Sequence, residues 1–329
     1  LVARFAHHPG LQWDLGEENN YGGTRRPDFA AAIAQLDAYD HPISNHTNLD
    51  SIDATLGPLV GNPNFHMSGF QIRQATLRQG DLIIDWRKRT AAAGVPWAIS
   101  VDESDHIEAN PYDESNGFPY GRKDWLWPIY MSGGAGFEWY VLDDGGGHSL
   151  DNSIENMREL DEALRWTGHA LAFMNSLPFS GMEPRPELGR SSFGGRTHVL
   201  ARPGDSYAVY HRSGGELELD LRGDSGSYQV SWFNPRSGSW ASGPVVSAGG
   251  QARLGPAPFS GDVAAVLRRV GVAQPPEPTP APSPPAAPTP TPEPPSTPAP
   301  TPTPEPSSAP APTPTPEPPS APAPTPTPE

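Results

Sequence analysis

Carboxylic acids follow two strand-like runs of this sequence, and their spacing could support acid–base chemistry. Glu17 and Glu18 follow one run, and Asp102 and Glu103 follow another, Val95–Val101. Adjacent side chains of a strand point to opposite sides, so we expect one of Glu17 and Glu18 to face a site. Two carboxyl groups at one edge of a sheet could protonate a leaving oxygen and attack an anomeric carbon or activate water, as glycoside hydrolysis requires. A solvated acidic loop is the alternative for Glu17 and Glu18.

Polar and aromatic side chains accompany these carboxylates. His46 and Gln71 also fall at predicted strand ends, where they could hydrogen-bond sugar hydroxyls or cap loops. The apolar CH faces of sugars pack on aromatic rings, and tryptophans occur in the same segments as the acids, although core packing is the alternative for such rings. The candidate ligand-binding residues are Trp13, Asn19, His46, Gln71, Trp97 and Trp139.

Several other chemistries lack their sequence signals. The chain has no P-loop and no Gly-x-Ser-x-Gly nucleophile elbow. The glycine-rich run 133–136 precedes a strand, which is the wrong context for dinucleotide binding. The acidic run Asp143–His148 lacks the ligand spacing of a Ca²⁺ loop. We therefore predict no metal and no cofactor.

The composition narrows the possible partners. The formal net charge is −16 and no basic stripe is present, which argues against nucleic acid. No run approaches the roughly 20 apolar residues of a membrane-spanning helix. The chain has no cysteine, which excludes disulfides and thiolate metal sites without fixing the compartment.

Strand-like and helical patterns alternate over residues 1–180, which predicts an α/β fold with a parallel sheet. The predicted strands are Leu11–Gly16, His41–His46, Phe65–Ile72, Val95–Val101 and Gly136–Val141. The predicted helices are Phe29–Tyr39, Thr76–Ala93 and Asn152–Leu177. In the first helix, Asp28 is placed to cap the N-terminus, and Phe29, Ile33 and Leu36 fall on one face.

Residues 196–270 have the pattern of an antiparallel all-β domain. Short β-type runs alternate with turn sequences such as Ser-Gly-Gly and Asn-Pro-Arg-Ser-Gly. The predicted strands are Thr197–Leu200, Tyr207–Tyr210, Leu217–Leu221, Tyr228–Phe233 and Val263–Leu267. Leu217, Leu219 and Leu221 alternate with acidic residues, which predicts one buried and one wet face.

The segment 274–329 is predicted to be a disordered, extended linker or stalk. It holds 27 of the 44 prolines and no Lys, Arg or aromatic residue, and it repeats Pro-Thr-Pro-Thr-Pro-Glu four times with a period of 12. Such a chain cannot bury enough apolar area to fold. This composition is typical of secreted polysaccharide enzymes, so we expect an extracellular or cell-surface location and a possible further module beyond the linker. We expect both ends to be truncations.

Three segments resemble clan-A-like glycoside hydrolases, most closely those related to apiosidases and agarase-like barrels. The run from Arg4 to Asn19 resembles the region leading into their strand 4, Pro96–Glu103 resembles their strand 7, and Trp127–Tyr140 resembles the entry to strand 8. The β-domain is similar to the collagen-binding domain described for a collagenase, through 207–210 and 232–238. The resemblance covers residues 1–270.

The resemblance implies strands 4–8 of a (β/α)₈ TIM barrel over residues 1–185, a β-sandwich accessory domain over 190–271 and the linker over 274–329. It implies a retaining glycoside hydrolase with a carbohydrate substrate. Glu18 would be the acid/base and Glu103 the nucleophile, with Glu17 and Asp102 as their rivals. The family's Asn-Glu pair is replaced here by Glu-Glu-Asn, which leaves the choice between Glu17 and Glu18 open.

Two other functions compete with hydrolysis. The α/β part could be a non-catalytic carbohydrate- or matrix-binding module, which predicts separated carboxylates. The β-domain could be a collagen-associated adhesin, which predicts an exposed apolar patch. Because five strands do not close a barrel, we expect the chain alone to be inactive and prone to aggregate.

Overall fold

Five parallel strands form the framework of the first part of the chain. The computed structural model describes residues 1–48, 51–72, 79–104, 121–139 and 161–271. The strands are β1 (Trp13–Asp14), β2 (Ile43–Ser44), β3 (Met67–Ile72), β4 (Ala98–Ser104) and β5 (Gly136–Phe137). β1 pairs with β2, and β3, β4 and β5 pair in order, all in parallel. A parallel bridge between His46 and Gly69 joins the two groups. The predicted α/β region with parallel strands is confirmed.

Helices alternate with these strands. They are α1 (Val2–Phe5), α2 (Arg25–Leu36), α3 (Ile52–Leu56), α4 (Gln79–Ala92), α5 (Trp127–Met131) and α6 (Asp161–Asn175), with a π-helical stretch at Gly121–Leu126. Ile99 and Val101 of β4 are buried in one core with Trp86 of α4. Because side chains alternate along a strand, the residues between them point to the opposite face. None of the helices in the described ranges is long and apolar enough to cross a bilayer.

The predicted apolar face of α2 is wrong at two of its three residues, whereas the third, Ile33, packs against the core. Phe29 and Leu36 are 65% and 70% exposed, whereas Ala30 and Arg26 are buried. The Arg26 guanidinium donates to the backbone carbonyls of Tyr21 and Thr55, at 2.9 and 2.5 Å. Because Arg26 is 3% exposed, these bonds hold its face of the helix inward.

The second part is antiparallel, as predicted. Its strands are β6 (Glu183–Pro184), β7 (Gly189–Ser191), β8 (Thr197–Arg202), β9 (Ser206–His211), β10 (Glu216–Asp220), β11 (Ser227–Phe233), β12 (Trp240–Ser247), β13 (Gln251–Pro256) and β14 (Val263–Arg269). Six form a sheet in the order β12-β11-β14-β9-β8-β6, and three form a sheet in the order β13-β10-β7. Leu217, Leu219 and Leu221 are buried, as their alternation predicts.

The helices that follow the parallel strands share a core with the six-stranded sheet. Trp127 of α5 stacks on Tyr210 of β9, with ring centroids 5.0 Å apart and planes 13° apart. Phe173 of α6 packs against Phe233 of β11 at 5.2 Å. The predicted division between residues 185 and 190 stays a prediction, and the predicted linker 274–329 lies outside the described residues.

A buried histidine lies in β8, close to this shared core. Burial lowers the pKa of His198 to about 3, and the positive charge of Arg196 acts in the same direction, against the opposing effect of Asp81. His198 is therefore neutral in the folded protein at ordinary pH.

We expect the contribution of His198 to the free energy of unfolding to fall as pH drops below about 6.5, where an unfolded histidine gains its proton. The unfolded chain binds a proton that folded His198 does not accept until about pH 3, which removes about 1.4 kcal/mol per pH unit. Urea unfolding at pH 7 and pH 5 measures the slope. His198→Leu should flatten it, whereas His7→Leu, at an exposed histidine, should not. Equal slopes in the three proteins would contradict the assignment.

Candidate active site

The carboxyl ends of the five parallel strands meet at one edge of the sheet. This edge is where barrel and α/β enzymes place their reactive groups. The polar residues at this edge are Glu17 and Glu18 after β1, His46 after β2, Gln71 as the second-to-last residue of β3, Asp102 and Glu103 in β4, and Glu138 after β5.

Gln71 joins the two candidate catalytic carboxylates. Its amide nitrogen Nε2 donates to Oε1 of Glu18 at 3.1 Å and to Oε1 of Glu103 at 2.6 Å. Because both oxygens touch one nitrogen, they lie no more than about 6 Å apart. The structure therefore brings together two acids that are 85 positions apart in the sequence.

A bulge lets two consecutive residues of β4 reach the same site. Phe70 lies opposite Val101, whereas Gln71 lies opposite Glu103, so that Asp102 is an extra residue in β4. A bulge of this kind re-aims side chains that would otherwise alternate between faces. Asp102 occupies the space beside Gly69 of β3, where an added Cβ would come within 1.7 Å of its Oδ2.

His46 lies between the two acids of β4. Its Nδ1 is 3.3 Å from Oδ1 of Asp102, and its Nε2 is 3.2 Å from Oε2 of Glu103. Burial lowers the pKa of His46, but the charges of Asp102, Glu103 and Asp14 outweigh burial and raise the pKa above its ordinary value. The surrounding carboxylates thus favour the protonated form of the imidazole.

Glu18 hydrogen-bonds to this cluster, whereas Glu17 acts on it through its charge, which helps to raise the pKa of Glu138. Besides Gln71, Asn48 donates its Nδ2 to Oε2 of Glu18 at 3.1 Å. Glu18 has a φ of 47°, a left-handed conformation that costs a non-glycine residue roughly 1 kcal/mol or more. Glu17 and Glu18 are both exposed on this loop, so their hydrogen bonds and not their burial distinguish them.

Glu138 is a further carboxyl group of the site, and the sequence analysis missed it. Its N–H donates to the carbonyl of Val101 at 2.9 Å, which places Glu138 beside the end of β4. Burial raises the pKa of Glu138, and the charges of Asp102 and Glu103 raise it further. The position was accessible from the sequence, since Glu138 lies in the predicted strand Gly136–Val141.

Two of the predicted sugar-binding rings lie elsewhere. Trp97 is 3% exposed and stacks on Trp86 at 6.1 Å, so it is a core residue and cannot bind a sugar. Trp13 packs against the helix-covered core, and its indole N–H donates to Asp37 at 2.8 Å. Both rings pack on the core that the helices cover. A tryptophan in a strand can point to either side of the sheet, so its position in the sequence did not distinguish a ligand site from the core.

Two further candidates have local partners. The Asn19 side chain donates to the Leu15 carbonyl at 2.7 Å and so closes the turn that carries Glu18. The Trp139 indole N–H donates to Thr167 at 2.8 Å, and the ring remains partly exposed next to Glu138. A sugar contact for Trp139 stays a prediction. The run Asp143–His148 lies outside the described residues, among which no group of three or more potential ligands could hold a metal ion.

Comparison with known proteins adds two findings. A family model described as "Putative collagen-binding domain of a collagenase" matches residues 190–262. A structure described as a glycoside hydrolase superposes with a TM-score of 0.64 at 15% identity, covering 82% of this chain and 67% of its own. A glycoside hydrolase of family 5 from Bacteroides vulgatus superposes with a TM-score of 0.63 at 16% identity, covering 82% and 65%.

This chain has a glycoside hydrolase-like fold. It combines that fold with the family match over residues 190–262. The chain spans about two thirds of the length of the two superposed glycoside hydrolases. The comparison with curated proteins finds no match.

Proposed function

We propose that the protein hydrolyses glycosidic bonds with retention of configuration, using Glu103 as nucleophile and Glu18 as acid and base. The observation that carries this proposal is the single nitrogen of Gln71 shared by both carboxylates. Retaining enzymes place their carboxyl groups about 5–5.5 Å apart, whereas inverting enzymes need about 6.5–9.5 Å to admit a water. Because one nitrogen bonds to both groups, the bonded oxygens of Glu18 and Glu103 lie no more than about 6 Å apart, which is below the range of inverting enzymes.

Two displacements complete the proposed reaction. In the first, an oxygen of Glu103 attacks the anomeric carbon while Glu18 gives its proton to the leaving glycosidic oxygen. A glycosyl ester on Glu103 and an ionised Glu18 result. In the second, Glu18 removes a proton from water, the water oxygen attacks the anomeric carbon, and the Glu103 carboxylate leaves. The enzyme returns to its starting protonation state.

The choice between neighbouring acids follows from contacts. Glu18 accepts hydrogen bonds from Gln71 and Asn48, which supports Glu18 over its rival Glu17. Glu103 touches both Gln71 and His46. Asp102 reaches His46 alone among these groups, which supports a role in orienting and charging the imidazole.

The finer architecture belongs to the same proposal. Five parallel strands in chain order, with reactive groups at their carboxyl ends, correspond to strands 4–8 of a (β/α)₈ barrel. The proposed partner is a carbohydrate, and the proline-rich segment supports an extracellular location. The proposed accessory role of the β-domain rests on the core that it shares with α5 and α6.

A second candidate function is binding to collagen or another matrix component. The family match over residues 190–262 favours it, and so do two exposed apolar side chains on β12, Trp240 and Val245, at 44% and 57%. Saturable binding of the β-domain face to immobilised collagen, lost in Trp240→Ser, would support it. The absence of saturable binding by the unaltered protein would exclude it, and equal binding of both proteins would exclude Trp240 as a contact.

A panel of glycans tests the proposed function. The full-length protein is incubated with the panel, and the first-formed anomer of any product is read by proton NMR before mutarotation. We expect hydrolysis with the anomeric configuration of the substrate retained. A product of inverted configuration would overturn the retaining mechanism. If no glycan of the panel is hydrolysed, the enzyme assignment is overturned.

A further inference from the structure

We propose that Gln71 is a positioning residue whose amide nitrogen holds the Glu18 and Glu103 carboxylates at one separation. The same nitrogen stabilises the negative charge on whichever of the two carboxylates is ionised. The inference rests on the proposed hydrolase function and adds a role for a residue that the sequence pattern suggested as a sugar ligand or a loop cap. It starts from one geometric fact, which is that a single Nε2 atom lies 3.1 Å from Glu18 and 2.6 Å from Glu103.

The chemistry of the partners fixes which end of the amide faces them. An amide carries two N–H donors on its nitrogen and only acceptors on its oxygen. Turning the Oε1 atom towards Glu18 and Glu103 would set three acceptors against one another. The nitrogen can instead give one N–H to each carboxylate, so both of its donors are used by the two acids. The other end of the amide, Oε1, is buried without a hydrogen-bond partner among the described residues.

Gln71 is held firmly enough to act as a spacer. It is 3% exposed, so its side chain cannot swing into solvent. Its backbone N–H donates to Oγ1 of Thr47 at 2.9 Å, and the Thr47 N–H donates to the Gly69 carbonyl at 3.0 Å. These bonds tie the end of β3 to the segment after β2 at the same level as the β4 bulge. The two carboxylates therefore approach a fixed donor.

The position of Nε2 suits a reaction in which the negative charge passes from Glu103 to Glu18. Before reaction the proposed pair carries one negative charge, on Glu103, and one proton, on Glu18. After the first displacement Glu103 is a neutral ester and Glu18 is ionised. Nε2 touches both groups and is hydrogen-bonded to the charged one in each state, without any rearrangement. Donors already in place where charge develops stabilise a transition state without a reorganisation cost.

Gln71→Met tests this role, since methionine has a similar length and no donor. In the full-length protein we expect kcat to fall about 10²-fold with little change in KM, the size associated with removing one preorganised donor. Both limbs of the pH profile of kcat/KM should move to higher pH, because each carboxylate loses a hydrogen bond that favours its ionised form. Gln71→Asn, one methylene shorter, should reach one carboxylate but not both and give an intermediate result.

The matched control is Gln79→Met, which changes a second buried glutamine that donates to the backbone carbonyl of Asp124 rather than to a carboxylate. Its pH profile should coincide with that of the unaltered protein. An unmoved profile in both Gln71 variants, or equal losses in Gln71→Met and Gln79→Met, would overturn the positioning role. Should Gln71→Met fail to fold, Gln71→Asn decides.

A second measurement separates this inference from the proposed function. Carbon NMR of side-chain-labelled glutamates follows the titration of Glu18 and Glu103, assigned with Glu18→Gln and Glu103→Gln. Both titrations should move to higher pH in Gln71→Met and stay in place in Gln79→Met. That result without any hydrolysis would sustain the bridge and refute the enzyme. Unmoved titrations in an active enzyme would refute the bridge alone.

Discussion

Glu103→Gln is expected to lower kcat for glycan hydrolysis at least about 10⁴-fold, because an amide cannot form the glycosyl ester. The change keeps the size of the side chain, so Gln71 and His46 retain a polar neighbour and the fold should persist. The measurement is the initial rate on the best substrate of the glycan panel. A substrate with a good leaving group should not restore the rate, since the missing group is the nucleophile and not the proton donor.

Two variants make the Glu103 result specific. Asp102→Asn should cost less, about 10²-fold, because Asp102 acts through its contact with His46 and a small misplacement of a catalytic group has that scale. Glu216→Gln changes an exposed glutamate of β10 and should leave the rate unaltered. If Glu103→Gln keeps more than a tenth of the activity while Asp102→Asn loses nearly all of it, the roles of these two acids are reversed.

Arg122→Met is expected to lower the free energy of unfolding by about 3–5 kcal/mol, the cost of leaving one member of a buried ion pair uncompensated. Arg122 and Asp262 are both fully buried and share two hydrogen bonds, of 3.0 and 2.9 Å. The guanidinium also lies 4.1 Å above the ring of Trp166. The pair joins the helical stretch before α5 to the start of β14, so its loss weakens both halves. Urea unfolding followed by tryptophan fluorescence measures the effect.

A double variant distinguishes the lost charge from lost packing. Arg122→Met combined with Asp262→Leu removes both charges and should recover much of the lost free energy, since buried pairs can often be replaced by apolar residues at little cost. Arg253→Met breaks the exposed pair with Glu218 and should cost no more than about 1 kcal/mol. Similar losses in Arg122→Met and Arg253→Met would show that the buried pair has no special weight.

The strand order of the α/β part could be predicted because apolar runs alternate with helical ones. The buried face of α2 could not be predicted, because hydrophobic spacing favoured Phe29 and Leu36 while backbone bonds of Arg26 turn the other face inward. Strand β12 was missed for a related reason. It contains Gly243 and Pro244, which argue against a strand, yet proline is tolerated at the edge of a sheet, where β12 lies.

The sequence predicted most acids of the site, but it predicted neither Glu138 nor the arrangement of the acids. Strand ends marked Glu18, Glu103, His46 and Gln71, and these four residues make contact with one another. No spacing rule shows that one amide would bridge two acids, because that depends on the bulge at Asp102. Trp97 was assigned to sugar binding because a ring near an acid looks the same in sequence whether it faces a ligand or a core.

The position of β14 in the sheet determines where a recombinant fragment of this domain should end. The family match ends at residue 262, and β14 begins at the next residue, between β11 and β9 in the middle of the six-stranded sheet. A recombinant fragment that follows the family boundaries would lack a central strand and expose two long unpaired edges, which favour aggregation. Expression of this domain should extend at least to Arg269, where the last strand ends.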